Sequence, residues 1–392
     1  MLGSTSSART VAAAALLASP SLISCASAAN WTQSALIRGN DFFTGFDWYT
    51  DKDPTNGLVN YQSQTNARSQ NLSYIDGKGN FVMAVSTTPV ALEGRNSVRV
   101  TSKQSYSDGV YVLNVTHVPL GCATWPAFWT VTQDIKAWPN GGEIDVMENA
   151  NDEYNGNLVS VHTTTSCTIP STISAQSGNV AYTNCSAYAP SNPGCRVETN
   201  GTSTPTWGRA LNRAGGGIIA MERSFGTTGK GVCVWYFPNS DASALPSDLA
   251  ASSTAVNTDA WPKPAAYLPI ASCYADFAPH NIVFDITLCG DWAGNTYNQS
   301  GCNAQYPACS YQVGYNGSSF NQSYWSVESL RLYTNGGSTA NAALSPQSAS
   351  TQQSAKSAAV PSFVIRPTGM VAAAASAAAA VLMGSVAFAT VL

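Results

Sequence analysis

Three carboxylates, Glu143, Asp145 and Glu148, alternate with apolar residues in the segment 143–148 of this 392-residue chain. A regular strand would place Glu148 on the face opposite to the other two acids, where an unpaired carboxylate is costly to bury. One extra residue, a β-bulge at Val146-Met147, returns Glu148 to the face of Glu143 and Asp145, and bulges are frequent beside active sites. The segment therefore predicts a bulged strand with three acids on one surface.

Carboxylates that share a surface can act as a nucleophile and a proton donor. A separation of about 5 to 5.5 Å lets one carboxylate attack the anomeric carbon of a sugar while the other protonates the leaving oxygen. This chemistry needs one ionised and one protonated group near neutral pH, and crowded like charges raise the pKa of at least one acid. We interpret the two glutamates as such a pair. The alternative interpretation is a solvated acidic strand edge.

Motifs on both sides of the acids favour the catalytic interpretation. They are residues 94–99 (GRNSVR), 121–129 (GCATWPAFW), 138–142 (WPNGG), 289–294 (CGDWAG) and 324–327 (YWSV). Together with the acids, these motifs make residues 34–336 resemble glycoside hydrolase family 16, in its fungal laminarinase-like branch. The signature of that branch is the bulged Glu-x-Asp-x-x-Glu.

The resemblance implies roles for the three acids and an architecture for the domain. Glu143 would be the nucleophile, Asp145 its assisting neighbour and Glu148 the acid/base. The fold would be all-β, a β-jelly-roll sandwich with a concave glycan-binding cleft. Related chitin–glucan crosslinking enzymes are expected to carry the shorter, unbulged Glu-x-Asp-x-Glu, so the extra Met147 favours the laminarinase side.

Six further residues are candidates for binding the sugar. Indole rings can stack on the apolar face of a pyranose, and the four candidates are Trp125, Trp129, Trp138 and Trp292. The first two could instead belong to the core, whereas the other two lie among Pro, Asn and Gly residues typical of loops. His162 could face the acid/base from the next strand or be a structural histidine. Arg99 could bind sugar hydroxyls or pair with a cleft acid.

Short strand signals separated by turn residues recur along the chain, and no segment has an amphipathic helical period beyond one or two turns. This pattern is typical of an antiparallel sandwich. The predicted strands are residues 81–86, 97–102, 109–115, 142–148, 157–163, 217–221, 232–237, 281–287 and 326–333. Two long segments, 167–208 and 238–281, are rich in turn-forming residues and are predicted to be loops.

The two ends of the chain differ from the middle. Residues 1–28 have the apolar stretch and small-x-small ending of a signal peptide. The Ser/Ala/Gln-rich residues 336–356 are predicted to be a linker. Residues 357–392 form a GPI-attachment signal whose tail, 370–392, carries no charge. A retained membrane span is the alternative. These predictions leave 29–335 as one catalytic domain of a secreted protein, GPI-anchored at the cell surface or wall.

The cysteines and the N-glycosylation sequons are consistent with passage through the secretory pathway. Removal of the signal peptide discards Cys25 and leaves nine cysteines, so at least one thiol is unpaired within the chain, and spacing does not determine the pairing. No pair has zinc-ligand spacing with nearby histidines, so no metal or other cofactor is predicted. Eight Asn-x-Ser/Thr sequons are present, at Asn30, Asn71, Asn114, Asn184, Asn200, Asn298, Asn316 and Asn321.

Composition limits the classes of partner. Only 10% of the residues are charged, against a usual ~25%, and the formal net charge is −4. Without a basic run the chain offers nucleic acid little to bind, and an anionic polymer would be mildly repelled. A neutral glycan, here a β-glucan polysaccharide, is the expected partner, and we expect a monomer.

Three functions share the acid motif. The first is a retaining endo-β-glucanase that hydrolyses β-1,3 or mixed β-1,3/1,4-glucan. The second is a transglycosylase that passes the covalent intermediate to a sugar acceptor. The third is a non-catalytic glycan-binding module, and three intact acids count against it. Release of reducing ends would indicate hydrolysis, whereas products longer than the starting oligosaccharide would indicate transfer.

Overall fold

The structure, a computed structural model, describes residues 31–152, 156–164 and 167–335. The predicted signal peptide, linker and GPI-attachment signal lie outside the described residues. Within those ranges, no helix is long and apolar enough to cross a membrane.

Strands dominate the described part of the chain. In chain order they are β1 (Trp31–Ile37), β2 (Phe46–Trp48), β3 (Val59–Tyr61), β4 (Ser73–Ile75), β5 (Phe81–Ala84), β6 (Arg95–Ser97), β7 (Arg99–Tyr106), β8 (Gly109–His117), β9 (Thr124–Thr132), β10 (Glu143–Glu148), β11 (Leu158–His162), β12 (Asn179–Tyr182), β13 (Cys195–Glu198), β14 (Gly217–Ser224), β15 (Gly231–Pro238), β16 (Ala255–Val256), β17 (Ala266–Leu268), β18 (His280–Leu288) and β19 (Tyr324–Thr334).

Helices are few and short. The α-helices are α1 (Asp41–Gly45), α2 (Gln64–Ser69), α3 (Gly208–Arg213) and α4 (Cys309–Tyr315). Short 3-10 segments span Ile135–Ala137, Ala242–Ala244, Ser247–Leu249, Thr258–Ala260, Ala271–Asp276, Cys302–Ala304 and Gly317–Phe320, and a π-helical turn spans Gly290–Gly294.

Two antiparallel sheets form a sandwich. The eight-stranded sheet has the order β12-β13-β11-β10-β9-β18-β7-β2. The nine-stranded sheet has the order β16-β1-β19-β8-β14-β15-β17, with β5 paired to β19 and β4 paired to β5. The parallel pair β3-β6 lies outside both. Alternate residues of the two sheets meet in one apolar core, with Phe128 and Phe284 from one side and Leu113 and Met221 from the other. The predicted all-β jelly-roll sandwich is confirmed.

All nine predicted strands coincide with or overlap observed ones, but the two predicted loops are only partly loops. Segment 167–208 contains β12 and β13, which extend the eight-stranded sheet beyond β11. Segment 238–281 contains β16 and β17, and its Leu249, Val256 and Trp261 form a second apolar cluster with residues on the outer face of the nine-stranded sheet. These segments were wrongly predicted to be loops throughout because their strands are two to four residues long and follow turn-rich sequence.

Four disulfides stabilise the loops around the sandwich. They join Cys122 to Cys302, Cys167 to Cys273, Cys185 to Cys195, and Cys289 to Cys309. Cys233 on β15 is the free cysteine of the described residues, which agrees with the odd count. Its side chain is buried, and burial raises the pKa of the thiol, so Cys233 remains an unreactive apolar residue.

Candidate active site

Strand β10 contains the predicted bulge. From Asp145 to Met147 the strand advances two residues while its neighbour β9 advances one, from Trp129 to Phe128. The register with β11 shifts at the same place. As a result three apolar side chains of β10, Ile144, Val146 and Met147, are all buried in the core. The three acids are left on the opposite face of the sheet, as the sequence predicted.

Asn157 holds the bulge from the turn before β11. Its Oδ1 accepts a hydrogen bond from the backbone N–H of Glu148 at 2.9 Å, and its Nδ2 donates to the carbonyl of Val146 at 2.8 Å. The same Nδ2 lies 2.6 Å from the hydroxyl of Tyr236, which reaches across from β15. Asn157 is fully buried, and it satisfies backbone groups that the bulge removes from the ladder.

Indole N–H groups of two predicted platforms donate to the two glutamates. Trp138 Nε1 lies 2.9 Å from Glu143 Oε2, and Trp125 Nε1 lies 2.7 Å from Glu148 Oε1. Trp138 is 37% exposed, whereas Glu148 is 8% exposed. These two tryptophans therefore orient the carboxylates, and the Trp138 ring is also exposed to solvent.

His162 lies beside Asp145, opposite Glu143 in the register of β10 with β11. Its Nε2 is 3.3 Å from Asp145 Oδ2 and 3.9 Å from Glu143 Oε1, and its Nδ1 is 2.9 Å from Asn192 Oδ1. Burial alone would lower the pKa of His162, but the hydrogen bond to Asp145 and the charge of Glu143 outweigh it and raise the pKa to about 9. At neutral pH His162 is therefore a cation between two acids.

Both glutamates hold a proton more tightly than an exposed glutamate does. Burial, followed by the charge of Asp145, raises the pKa of Glu143 to about 8 and that of Glu148 to about 7. Against this, His162 and the Trp138 N–H favour ionised Glu143, and Arg196 and the Trp125 N–H favour ionised Glu148. The site therefore carries a dissociable proton near neutral pH, as general acid catalysis requires.

One side of the acids is lined by Arg196 of β13 and Trp292. The guanidinium of Arg196 lies 5.0 Å from the Trp292 ring centroid and 5.8 Å from that of Tyr182, and its Nε donates to Ser160 Oγ at 3.0 Å. Trp292 in turn meets Trp125 edge-to-face at 5.5 Å. Trp292 is thus fixed between a cation and a second indole next to Glu148.

The other side is built around Trp129 of β9. Its Nε1 donates to Asp285 Oδ2 at 3.0 Å, and the guanidinium of Arg99 lies 5.1 Å from its ring centroid. Arg99 also lies 4.8 Å from the ring of Tyr49. Burial raises the pKa of Asp285 to about 7, although the charge of Arg99 opposes the shift. Arg99 therefore stacks on two aromatic rings, and its charge only partly offsets the effect of burial on Asp285.

The loop that carries Trp138 is fixed by a residue for which the sequence indicated no role. His280 Nε2 lies 2.7 Å from the carbonyl of Gly141, and its Nδ1 lies 2.9 Å from Thr130 Oγ1. Gly141 has φ 88°, and a Cβ there would come within 2.4 Å of Thr132 Oγ1, so a glycine is needed for this close approach. The anchored loop places Trp138 over Glu143.

Glu143, Asp145 and His162 form a cluster whose potential ligand atoms lie within 4.8 Å of one another, and no other such group occurs in the described ranges. A cation bound there would have to replace the proton on His162, because Nε2 already faces both carboxylates. The protonated imidazole of His162 thus takes the place that a bound cation would occupy between the two carboxylates.

The nine residues singled out in the sequence are connected to one another by side-chain contacts or strand pairing. Direct contacts connect the acids with His162, Trp125 and Trp138, and Trp125 with Trp292. Trp129 pairs with Asp145 across β9 and β10, and Arg99 stacks on Trp129. The residues that the sequence reasoning missed are Asn157, Ser160, Asn192, Arg196, His280 and Asp285. Of these, Asp285 had a usable signal, a carboxylate within the apolar strand 281–287.

Comparisons with known proteins identify the family. Residues 46–333 match the family profile described as an XgeA-like catalytic GH16 domain. The chain belongs to glycoside hydrolase family 16. The resemblance on which the sequence interpretation rested is therefore confirmed.

Fungal relatives agree with this assignment. A protein of Schizosaccharomyces pombe described as a probable glycosidase is 36% identical over 302 residues, covering 76% of this chain and 67% of the relative. A probable endo-1,3(4)-beta-glucanase of Aspergillus niger is 34% identical over 331 residues, covering 82% of this chain and 42% of the relative. The match thus spans about two thirds of the first relative and under half of the second.

Two solved structures share the fold along their whole length. The family 16 laminarinase 16A of Phanerochaete chrysosporium, whose structure holds two β-glucans in donor and acceptor sites, has 35% identity and a TM-score of 0.71. An elongating family 16 β-1,3-glucosyltransferase has 31% identity and a TM-score of 0.68. Each match covers 78% of this chain and 100% of the solved chain.

Proposed function

We propose that this family 16 protein is a retaining endo-β-glucanase that cleaves β-1,3 or mixed β-1,3/1,4-glucan. One observation carries the proposal: the bulge in β10 presents Glu143 and Glu148 on the same face, on either side of an Asp145–His162 ion pair. The relatives named as endo-1,3(4)-beta-glucanases and laminarinase support this substrate class.

In the first step of the proposed mechanism, Glu148 protonates the glycosidic oxygen while Glu143 attacks the anomeric carbon. The bond from that carbon to the leaving oxygen breaks, and a covalent glycosyl ester forms on Glu143. In the second step ionised Glu148 takes a proton from water, the water oxygen attacks the anomeric carbon, and Glu143 leaves as a carboxylate. Two displacements retain the configuration.

The groups around each glutamate support this division of roles. Glu143 must be ionised to attack, and the two groups that favour its ionised form, the His162 cation and the Trp138 N–H, both reach it directly. Without substrate, the pKa of Glu143 is about 8 and that of Glu148 is about 7. This order is the reverse of the one expected for an ionised nucleophile and a protonated acid. The roles follow from the positions of the two glutamates in the motif. Loss of the Glu143 proton thus precedes attack.

The strongest alternative is transglycosylation through the same glycosyl ester. Similarity to a solved glucosyltransferase, 31% identical and structurally close, favours it. The difference lies in the acceptor, since a sugar hydroxyl replaces water in the second step. A non-catalytic glycan-binding module is disfavoured because all three acids are intact and in contact with orienting groups.

Product analysis tests the proposal. The purified chain is incubated with laminarin, mixed-linkage glucan, cellulose and chitin oligomers, and the products are sized while the anomeric configuration is followed by NMR. We expect shorter products with retained configuration from the first two substrates. Products longer than the starting oligosaccharide would favour the transferase, and inverted configuration would contradict the mechanism.

We also propose that the protein acts outside the cytoplasm, as a monomer at the cell surface. The four disulfides support an oxidising compartment. A polysaccharide substrate in the cell wall would require that location.

A further inference from the structure

A groove of about 470 Å³ lies at one edge of the nine-stranded sheet. Residues of β4 and β5 line one part of it, and the segment 320–324, which leads into β19, lines another. The acids lie on the eight-stranded sheet, so this groove is separate from the candidate active site. We call it the Asn71 groove, after a residue that lines it together with Tyr74, Asn321 and Tyr324.

Two of the eight sequon asparagines, Asn71 and Asn321, line this groove. Asn71 is exposed in the turn between α2 and β4, where its φ of 57° puts the backbone in the left-handed region that asparagine tolerates. The side chains of two other sequon asparagines are buried or hydrogen-bonded. Asn114 lies in the middle of β8 with a buried Oδ1, and Asn200 donates to Glu198 at 3.1 Å.

Tyrosine rings give the groove a surface suited to a sugar. Tyr74, three residues after Asn71, is 37% exposed. Tyr324 is held rigidly, because its ring stacks on His117 with 3.7 Å between centroids, and His117 Nδ1 lies 2.9 Å from the Tyr324 carbonyl. An aromatic ring can pack against the apolar face of a pyranose while polar groups at the rim bind its hydroxyls. The amide of Gln322 also lines the groove.

We propose that Asn71 carries an N-linked glycan whose first N-acetylglucosamine packs in the Asn71 groove against Tyr74. In the attachment step, Asn71 Nδ2 bonds to C1 of a lipid-linked N-acetylglucosamine. The bond from C1 to the lipid pyrophosphate breaks, and the amide proton leaves with the released pyrophosphate. The proposal rests on passage through the secretory pathway.

The third residue of the sequon shows whether the glycan is attached before or after β4 and β5 pair. Ser73 is 1% exposed and donates from Oγ to the carbonyl of Val82 at 2.9 Å, a bond between β4 and β5. A folded chain hides this serine, so attachment must precede the pairing of the two strands. Once the strands pair, the sugar covers the exposed face of Tyr74.

The experiment uses the full chain secreted from a glycosylating yeast. Peptide mass spectrometry measures occupancy at each sequon. Thermal unfolding is then compared for the intact glycoprotein, for protein trimmed with endoglycosidase H, which leaves one N-acetylglucosamine, and for protein treated with peptide N-glycosidase F, which leaves aspartate. Asn71→Asp reproduces the last state at one site, and Asn184→Asp is the matched control at another exposed sequon. Tyr74→Ala keeps the sequon and removes the ring.

We expect Asn71 to be occupied and the trimmed protein to keep the unfolding midpoint of the intact glycoprotein. Asn71→Asp should lower the midpoint by roughly 2–4 °C, whereas Asn184→Asp should leave it unchanged. In Tyr74→Ala, removal of the glycan should no longer change the midpoint. Glucanase activity should be the same in all variants.

Three results would overturn the proposal. An unoccupied Asn71 beside other occupied sequons would reject the site while leaving secretion intact, and absence of glycan at every sequon would reject both. If Asn71 is occupied but full deglycosylation has the same effect in Tyr74→Ala as in the natural chain, the sugar does not pack in the groove.

Discussion

Asn157 Oδ1 accepts the backbone N–H of Glu148 at 2.9 Å, and through this bond a buried amide sets the position of the candidate acid/base. Asn157 is nine residues from Glu148 and lies outside the acid motif. Its Nδ2 meets the carbonyl of Val146, on the other side of the extra residue. The bulge is thus braced on both sides by one side chain.

Replacing Asn157 should damage activity and stability together. Asn157→Ala leaves the buried N–H of Glu148 without this acceptor, while the carbonyl of Val146 keeps the Tyr236 hydroxyl at 3.3 Å. We therefore expect a loss of roughly 1–3 kcal/mol for the unsatisfied N–H and a large fall in kcat. Urea unfolding and glucan hydrolysis measure the two effects. Asn157→Asp keeps the acceptor for Glu148 and should retain more activity than Asn157→Ala. Equal activity of the natural chain and Asn157→Ala would show that the bulge does not need this brace.

The raised pKa values predict a stability that decreases with pH. Glu148 binds its proton more tightly in the folded chain, with a pKa near 7 against an ordinary 4.5, so its contribution is present below about pH 4.5 and is lost as the pH rises through 7. Glu148→Gln mimics the protonated acid and should be more stable than the natural chain by roughly 1–3 kcal/mol at pH 8, with little difference at pH 4.5. Urea unfolding at both pH values tests this. A constant difference would contradict the assigned shift.

Arg196 should set the alkaline limb of the pH profile. Its positive charge favours ionised Glu148, so Arg196→Gln should raise the pKa of that acid and move the alkaline limb of kcat/KM to higher pH. Arg196→Lys keeps a charge and should restore part of the original profile. Arg99→Gln is the matched control because Arg99 acts on Asp285, on the other side of the site. Identical shifts in Arg196→Gln and Arg99→Gln would point to a general change in the cleft instead.

Trp138 and Trp292 should differ in what their loss changes. Trp292→Ala removes a ring that has no hydrogen bond to the acids, so KM for oligosaccharides should rise while kcat changes little. Trp138→Phe keeps an aromatic ring but removes the N–H that reaches Glu143 at 2.9 Å, so kcat should fall with a smaller change in KM. Steady-state kinetics on laminarin oligomers separate the two. Unfolding of either variant at room temperature would assign that indole to structure.

The bulge could be predicted from sequence because its cause is local. A regular strand would have buried Glu148 in the core, and six residues contain that conflict. Arg196 could not be predicted in the same way, since it reaches Trp292 and Ser160 only through the register of β13 with β11. Its strand lies in a turn-rich segment and is four residues long.

Strand β9 was missed although it lies at the centre of the sheet and carries two of the predicted platforms. Pro126 lies within this strand, and proline is unfavourable in a central strand because it has no N–H to donate to a ladder. The structure removes the conflict: β10 ends at Glu148, opposite Ala127, so Pro126 has a neighbour only on the β18 side, where it pairs with Ile286. This proline is tolerated because the adjacent strand ends before it, and the position of that end cannot be read from the sequence around Pro126.

The roles of the two glutamates can be separated by removing each one and supplying an external nucleophile. With Glu143→Ala no carboxylate remains to form the ester, so turnover of glucan should be almost abolished. Azide should then attack from the side that Glu143 vacated and give an α-glycosyl azide. With Glu148→Ala, substrates that carry a good leaving group need no protonation, so the ester on Glu143 should still form and accumulate. Azide should then release a β-glycosyl azide with retained configuration.

The stereochemistry of the two azide products, measured by NMR, decides the assignment. A β-azide from Glu143→Ala together with an α-azide from Glu148→Ala would exchange the roles of the two acids. Glu143→Gln and Glu148→Gln, which keep an acceptor for the Trp138 and Trp125 N–H groups, control for loss of position, and mass spectrometry should find the trapped ester only when Glu143 is present. If Glu148→Ala is inactive on activated substrates while the fold is intact, double displacement on this bulged strand has to be abandoned.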